Sequence, residues 1–179
     1  DVQLGDVSDE RLELALATIA TNLEMMRDMG LVDDESAAGV PGRISTSAAL
    51  EETLDGADFV IEAVFEDLGL KHRVLKDTEE RGPKDVIFAS NTSSIPITDI
   101  AEASAHPETV IGMHYFSPVE KMMLVELIVG EKTGGRAISM CLDFVAKIKK
   151  TPIVVADTRG FYANRCVMRY IEQGMYMLT

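Results

Sequence analysis

Phe59-Val60-Ile61-Glu62-Ala63-Val64 leads into a helically spaced segment over 68–81, closed by Gly82-Pro83. Val86-Ile87-Phe88-Ala89 follows and runs into Ser90-Asn91-Thr92-Ser93-Ser94. The two apolar runs are strand-sized and rich in β-branched and aromatic residues, and the segment between them is long enough to be a crossover helix. Parallel strands need such a crossover, so the stretch reads as a strand–helix–strand unit. The same alternation continues downstream. A short helix is expected over 97–103, a strand over 110–113, a strand over 124–129, and a helix over 137–150. Lys147, Lys149 and Lys150 lie at the end of that helix, where the helix dipole favours cations. Ile153-Val154-Val155 is a further strand, and a helix starts at Tyr162.

Upstream, Val2-Gln3-Leu4-Gly5-Asp6 reads as an opening strand. Ser8 is an N-cap followed by Asp9 and Glu10, and Leu12, Leu16, Ile19, Leu23 and Met26 recur at helical spacing up to a C-terminal Gly30. A looser stretch over 32–42 has room for one short helix and a turn. A brief strand over 44–46 and a short helix over 50–54 follow. Strands alternating with helices predict an α/β fold with a mostly parallel sheet and helices on both faces.

Composition sets bounds on function. The 179 residues suit one domain, or one domain and a piece of another. Hydrophobic residues at 46% and charged residues at 26% describe an ordinary globular chain. Lys plus Arg total 17 against 30 Asp plus Glu, a net charge of −13, which is the wrong sign for a nucleic-acid partner. No apolar run approaches the ~20 residues of a membrane span. Cys141 and Cys166 make no disulfide framework, and no Cys/His cluster has metal-ligand spacing, so no metal is expected and a reducing, intracellular compartment is. No basic region marks a signal peptide at the N-terminus.

In such sheets ligands bind beyond the carboxyl ends of the strands, so the residues that follow each strand matter most. Asp6 follows the first strand, where a carboxylate either accepts from ribose hydroxyls or caps a turn. Glu66 and Lys71 follow the strand Phe59 to Val64. The run 90–94 is either a capping turn or a donor-rich loop facing a ligand; taken alone, capping is the simpler reading. His114 ends the 110–113 strand. Glu126 interrupts the apolar strand Leu124-Val125-Glu126-Leu127-Ile128-Val129, and a carboxylate there is costly unless paired. Pro118 begins a turn able to fold that strand back toward His114, which would make an oriented base. Asn164, in Gly160-Phe161-Tyr162-Ala163-Asn164-Arg165, is either a surface amide or a further group at this edge. No Gly-x-Gly-x-x-Gly occurs in the sequence.

Four motifs in order now resemble the NAD-dependent L-3-hydroxyacyl-CoA dehydrogenases. They are Asp58 to Glu66, Ser90 to Ser94, His114-Tyr115-Phe116-Ser117-Pro118-Val119 through Glu126, and Arg159 to Arg165. The form is most similar to the dehydrogenase part of multifunctional enoyl-CoA hydratase/3-hydroxyacyl-CoA dehydrogenases of fatty-acid β-oxidation. The resemblance implies a Rossmann-type NAD-binding domain over 1–158 and the start of an all-helical domain over 159–179. It implies His114 as general base, Glu126 as its orienter, and Ser93 and Asn164 as groups on the reacting oxygen and substrate. It implies cofactor contacts from Asp6, Val64, Glu66, Lys71, Ser93 and Ser117, with Asp6 favouring NAD over NADP.

Departures from the family accompany this. The first strand and its Gly-rich loop are missing, Ser117 stands where the family often has Asn, and the acidic stretch around 33–42 replaces a longer hairpin that in some members holds CoA. The chain is accordingly read as a piece of a longer protein. Expected partners are an acyl-CoA substrate and either a second copy or a β-oxidation complex. The expected location is cytoplasmic, or mitochondrial or peroxisomal in a eukaryote. Two rivals remain at this point: an NAD-dependent dehydrogenase of another 3-hydroxy acid, and a non-catalytic fragment or structural relative.

Overall fold

A computed structural model describes residues 1–178. The chain forms two compact units, Asp1–Ala57 and the residues from Asp58 onward.

In the first unit, strands β1 (Val2–Gly5) and β2 (Ile44–Ser47) pair in parallel, Val2 opposite Ile44. Helix α1 (Asp9–Asp28) joins them together with the shorter α2 (Asp34–Gly39), and α3 (Leu50–Leu54) follows β2. The predicted Ser8 cap is present, its hydroxyl accepting from the Arg11 N–H. Gly30 at φ 69° ends α1 in a left-handed turn, where its N–H reaches the Arg27 carbonyl and the Leu31 N–H reaches Met26. That pairing satisfies carbonyls that the last turn of a helix otherwise leaves open. Leu12 and Leu54 are the buried apolar residues of this unit.

The second unit is built on five strands in the order β3 (Phe59–Glu62), β4 (Ile87–Ser90), β5 (Val110–Tyr115), β6 (Leu124–Val129) and β7 (Thr151–Ala156). All neighbours are parallel except β5 and β6, which are antiparallel. Helices α4 (Leu68–Arg81), α5 (Ile97–Ala101), α6 (Gly135–Lys147) and α7 (Ala163–Tyr176) complete it. Among the described residues the first unit thus holds a two-stranded hydrogen-bonded set and the second a five-stranded one. Several boundaries differ from expectation: β5 runs on to Tyr115, α6 ends at Lys147 and leaves Lys149 and Lys150 beyond it, and β3 stops at Glu62 and does not reach Val64. The Glu62 carboxylate accepts the Val64 N–H at 2.7 Å, which turns the backbone out of the sheet.

Successive side chains of a strand point to opposite faces, and here each face has its own core. Ile87, Ala89, Ile111, Met113, Val125 and Leu127 pack against Ala137, Cys141 and Val145 of α6. Phe88, Val110 and Ile128 face the other way, against Leu75 of α4, Ile97 and Ile100 of α5, and Phe161. By the same alternation, Glu62, Ser90, His114 and Glu126 continue this second face. All four are buried. The apolar part of the face gives way to polar residues toward the carboxyl ends of the parallel strands. β6 runs in the opposite sense, so its polar residue precedes Ile128 in the chain.

Candidate active site

His114 and Glu126 are directly opposite in the β5–β6 ladder. The hairpin expected from Pro118 brings them together, with His114 Nδ1 2.7 Å from Glu126 Oε2. A carboxylate is an acceptor, so it selects the tautomer with the proton on Nδ1 and leaves Nε2, across the ring, to accept a proton. The pair is nearly dry, with the His114 side chain 6% exposed and Glu126 fully buried. The imidazole also packs between aromatic rings, Phe116 at 4.7 Å and Phe161 at 5.8 Å between centroids.

The other Glu126 oxygen explains how a carboxylate survives in an apolar strand. Oε1 accepts the backbone N–H groups of Tyr162 at 3.0 Å and Ala163 at 2.8 Å. These are the first amides of α7, whose helix dipole places partial positive charge there. The approach is made by two consecutive left-handed residues, Gly160 at φ 78° and Phe161 at φ 50°. A phenylalanine in that region is strained at a cost of roughly 1–2 kcal/mol, and its ring is buried beside His114 in return.

Ser93 lies in the loop between β4 and α5. Its N–H donates to Glu66 Oε1 at 2.9 Å, and its carbonyl accepts from Asn164 Nδ2 at 3.2 Å. Ser93 and Asn164 are therefore neighbours, and Ser93 Oγ has no partner among the described residues. Glu66 Oε1 also accepts from the Thr92 hydroxyl and from the N–H and hydroxyl of Ser94. Partial burial alone would push the Glu66 carboxyl up; these donors and the nearby Lys71 charge outweigh it and hold the group at about 2. Asn91 ties the loop to β5, its Oδ1 accepting the Tyr115 N–H at 2.9 Å. Below the loop, Asp157 caps α5, taking the N–H groups of Ile97 and Thr98.

The remaining expected positions are less engaged. Val64 and Phe65 are exposed just past the end of β3. Ser117 is exposed in the loop between β5 and β6 and precedes a cis peptide to Pro118. The Lys150 ammonium pins that loop, donating to the carbonyls of Val119 and Met122. In the first unit, Asp6 is exposed after β1 and accepts the Val7 N–H at 2.6 Å. Lys71 is different: it is buried, and its ammonium is taken up by Glu62 at 2.8 Å and Glu66 at 3.4 Å. Glu62, for which the sequence suggested no role, belongs to this network together with Ser90 and Thr92 of the 90–94 run. The signal that found Glu126, a carboxylate inside an apolar run, was present at Glu62 too. Cys141 is no nucleophile, because burial pushes its thiol up to about 12.

The arrangement suits a cofactor with a flat ring. Exposed apolar surface at Val64 and Phe65 and an uncommitted hydroxyl at Ser93 lie past the carboxyl ends of β3 and β4. A Gly-rich cradle for a pyrophosphate is not in this sequence. No His/Cys/Asp/Glu cluster among the described residues has metal-binding geometry. No helix among them is long and apolar enough to cross a membrane.

Residues 1–158 match the family described as 3-hydroxyacyl-CoA dehydrogenase, NAD binding domain. The fatty acid oxidation complex subunit alpha of Shewanella amazonensis is 44% identical over 177 residues, covering 99% of this chain and 25% of that protein. The corresponding subunit of Shewanella halifaxensis is 51% identical over 135 residues, covering 75% of this chain and 19% of that protein. The chain thus spans a quarter or less of the length of these relatives. Among solved structures, the (S)-3-hydroxybutyryl-CoA dehydrogenase of Ralstonia eutropha is similar at a TM-score of 0.92 and 34% identity, over 97% of this chain and 61% of that one.

Proposed function

The chain belongs to the 3-hydroxyacyl-CoA dehydrogenase NAD-binding family, and from that premise we propose that the protein carrying it oxidises (3S)-hydroxyacyl-CoA to 3-oxoacyl-CoA. The observation that carries this reading is the buried His114–Glu126 pair, its Nδ1–Oε2 bond 2.7 Å long, at the carboxyl edge of the sheet. His114 Nε2 takes the proton of the 3-hydroxyl. Glu126 keeps the imidazole in the tautomer that allows this and balances the charge of the imidazolium, as in oriented histidines generally. The Ser93 hydroxyl and Asn164 donate to the substrate and its reacting oxygen. NAD, when bound, supplies the acceptor for the hydride leaving C3. Val64, Glu66, Ser93 and Ser117 would line its nicotinamide end, and Asp6 would accept from the adenosine ribose.

Residues 1–158 would then be the larger part of the cofactor domain, and 159–179 the start of the helical one. The span of the family match supports this division. The names of the relatives support placement in a fatty-acid oxidation complex, and the location proposed with it is the cytoplasm. The test is His114→Gln in the full-length protein. Turnover with (3S)-hydroxybutyryl-CoA should fall by ~100-fold or more, the scale of losing a general base, with NADH affinity kept. Unchanged turnover refutes the assignment. Turnover of free 3-hydroxybutyrate in place of its CoA thioester would identify a hydroxy-acid dehydrogenase instead.

A further inference from the structure

Lys71 and Glu62 form an ion pair with side-chain exposures of 1% and 0%. Interiors tolerate such a pair only when every donor and acceptor in it is satisfied. Here they are. The ammonium donates to both Glu62 oxygens at 2.8 and 3.1 Å and lies 3.5 Å from the Val64 carbonyl. Its remaining neighbour is Glu66 Oε2 at 3.4 Å. Glu62 further accepts from the Ser90 hydroxyl at 2.6 Å and the Val64 N–H at 2.7 Å. Lys71 therefore has no donor left for a ligand. Its charge is directed at Glu66, whose other oxygen gathers Thr92, the Ser93 N–H and both donors of Ser94. A chain of hydrogen bonds joined by one ion pair, Lys71 to Glu66 at 3.4 Å, thus runs from the floor of the sheet to the backbone of Ser93.

We propose that Glu62 and Lys71 are positioning residues for the dehydrogenase reaction: through Glu66 they hold the 92–94 segment so that the Ser93 hydroxyl meets the reacting oxygen. This rests on the reading of Ser93 given above. It departs from the role that resemblance implied for Lys71, which was direct contact with the cofactor. The physical stake is placement, since a catalytic group displaced by about 1 Å can lose on the order of 100-fold in rate.

Removing one partner alone would strand a buried charge, so the test replaces both, Glu62→Gln with Lys71→Met, in the full-length protein. Turnover of (3S)-hydroxybutyryl-CoA should fall about 10-fold or more, while the Kd for NADH stays within about twofold. Added to Ser93→Ala, the pair replacement should cause no further loss, because both act at one hydroxyl. A rise in NADH Kd with turnover preserved would make Lys71 a cofactor contact and overturn the proposal. Losses that multiply with that of Ser93→Ala would overturn it as well. If Ser93→Ala itself leaves turnover unchanged, the reading of Ser93 fails first, and the proposal with it. Should the paired variant not fold, Thr92→Val cuts the chain at its loop end, where the hydroxyl donates to Glu66 at 2.6 Å. Lower turnover with unchanged NADH affinity supports the proposal, and unchanged turnover refutes it.

Discussion

Replacing Glu126 by Gln keeps the volume of a fully buried side chain and changes one thing, the charge opposite His114. The Gln carbonyl oxygen would go to the Tyr162 and Ala163 N–H groups, which need an acceptor at 3.0 and 2.8 Å. The amide NH2 then faces Nδ1. It can only donate, so Nδ1 must become the acceptor and the ring proton moves to Nε2, the atom that has to take the substrate proton. The imidazolium formed in the reaction also loses its counter-charge. With charge centres about 4 Å apart and an effective dielectric of ~20, that interaction is on the order of 4 kcal/mol. Allowing for the dipole the amide still provides, a loss of about 3 kcal/mol means turnover slower by roughly 100-fold. The assay is kcat for (3S)-hydroxybutyryl-CoA with NAD in the full-length protein, beside the NADH Kd and the melting temperature. All hydrogen bonds can still be made, so folding and cofactor affinity should hold. Glu126→Gln combined with His114→Gln should be no worse than His114→Gln alone, because the two act as a unit. Turnover within about threefold of the parent would refute the reasoning.

Three further outcomes are expected. Glu66 is held at about 2 against an ordinary 4.5, so its depressed value contributes stability above pH 4.5 that is lost as pH falls toward 2. After allowance for solvent screening the contribution is roughly 1–2 kcal/mol, and the gap in urea midpoint between parent and Glu66→Gln should shrink as pH is lowered through that window. Gly112→Ala should destabilise by about 1–3 kcal/mol, because the new Cβ would lie 2.8 Å from Ile128 Cβ and from Ile97 side-chain carbons; a melting curve unchanged from the parent would contradict this packing. Thr78 Oγ1 is buried with no hydrogen-bond partner among the described residues, so Thr78→Val should raise the urea midpoint, by about 1 kcal/mol of stability.

Local chemistry made much of the fold legible. Ser8 with Asp9 and Glu10 starts α1 where the capping pattern placed it, and Gly30 ends it with the backbone conformation that glycine alone adopts freely. The apolar runs became β3 to β7 because strand burial on both faces leaves a continuous apolar signature. The His114–Glu126 contact was legible for a thermodynamic reason. A carboxylate amid Leu124, Val125, Leu127 and Ile128 needs a partner, and a hairpin two strands long allows few. Where β3 ends was not legible: Ala63-Val64-Phe65 prolongs the apolar run, and the stop is made by the Glu62 side chain catching the Val64 N–H.

The order of α/β elements and the pairing of a base with its orienter thus follow from periodicity and from the cost of burying charge, both properties of neighbouring residues. The α7 amides on Glu126 and the Lys71 ammonium set between Glu62 and Glu66 do not. Each satisfies a buried polar group with a donor from another element, and which donor arrives depends on how strands and helices pack. Only the tertiary structure decides that, because hydrogen bonds act over about 3 Å and sequence separation does not measure that distance.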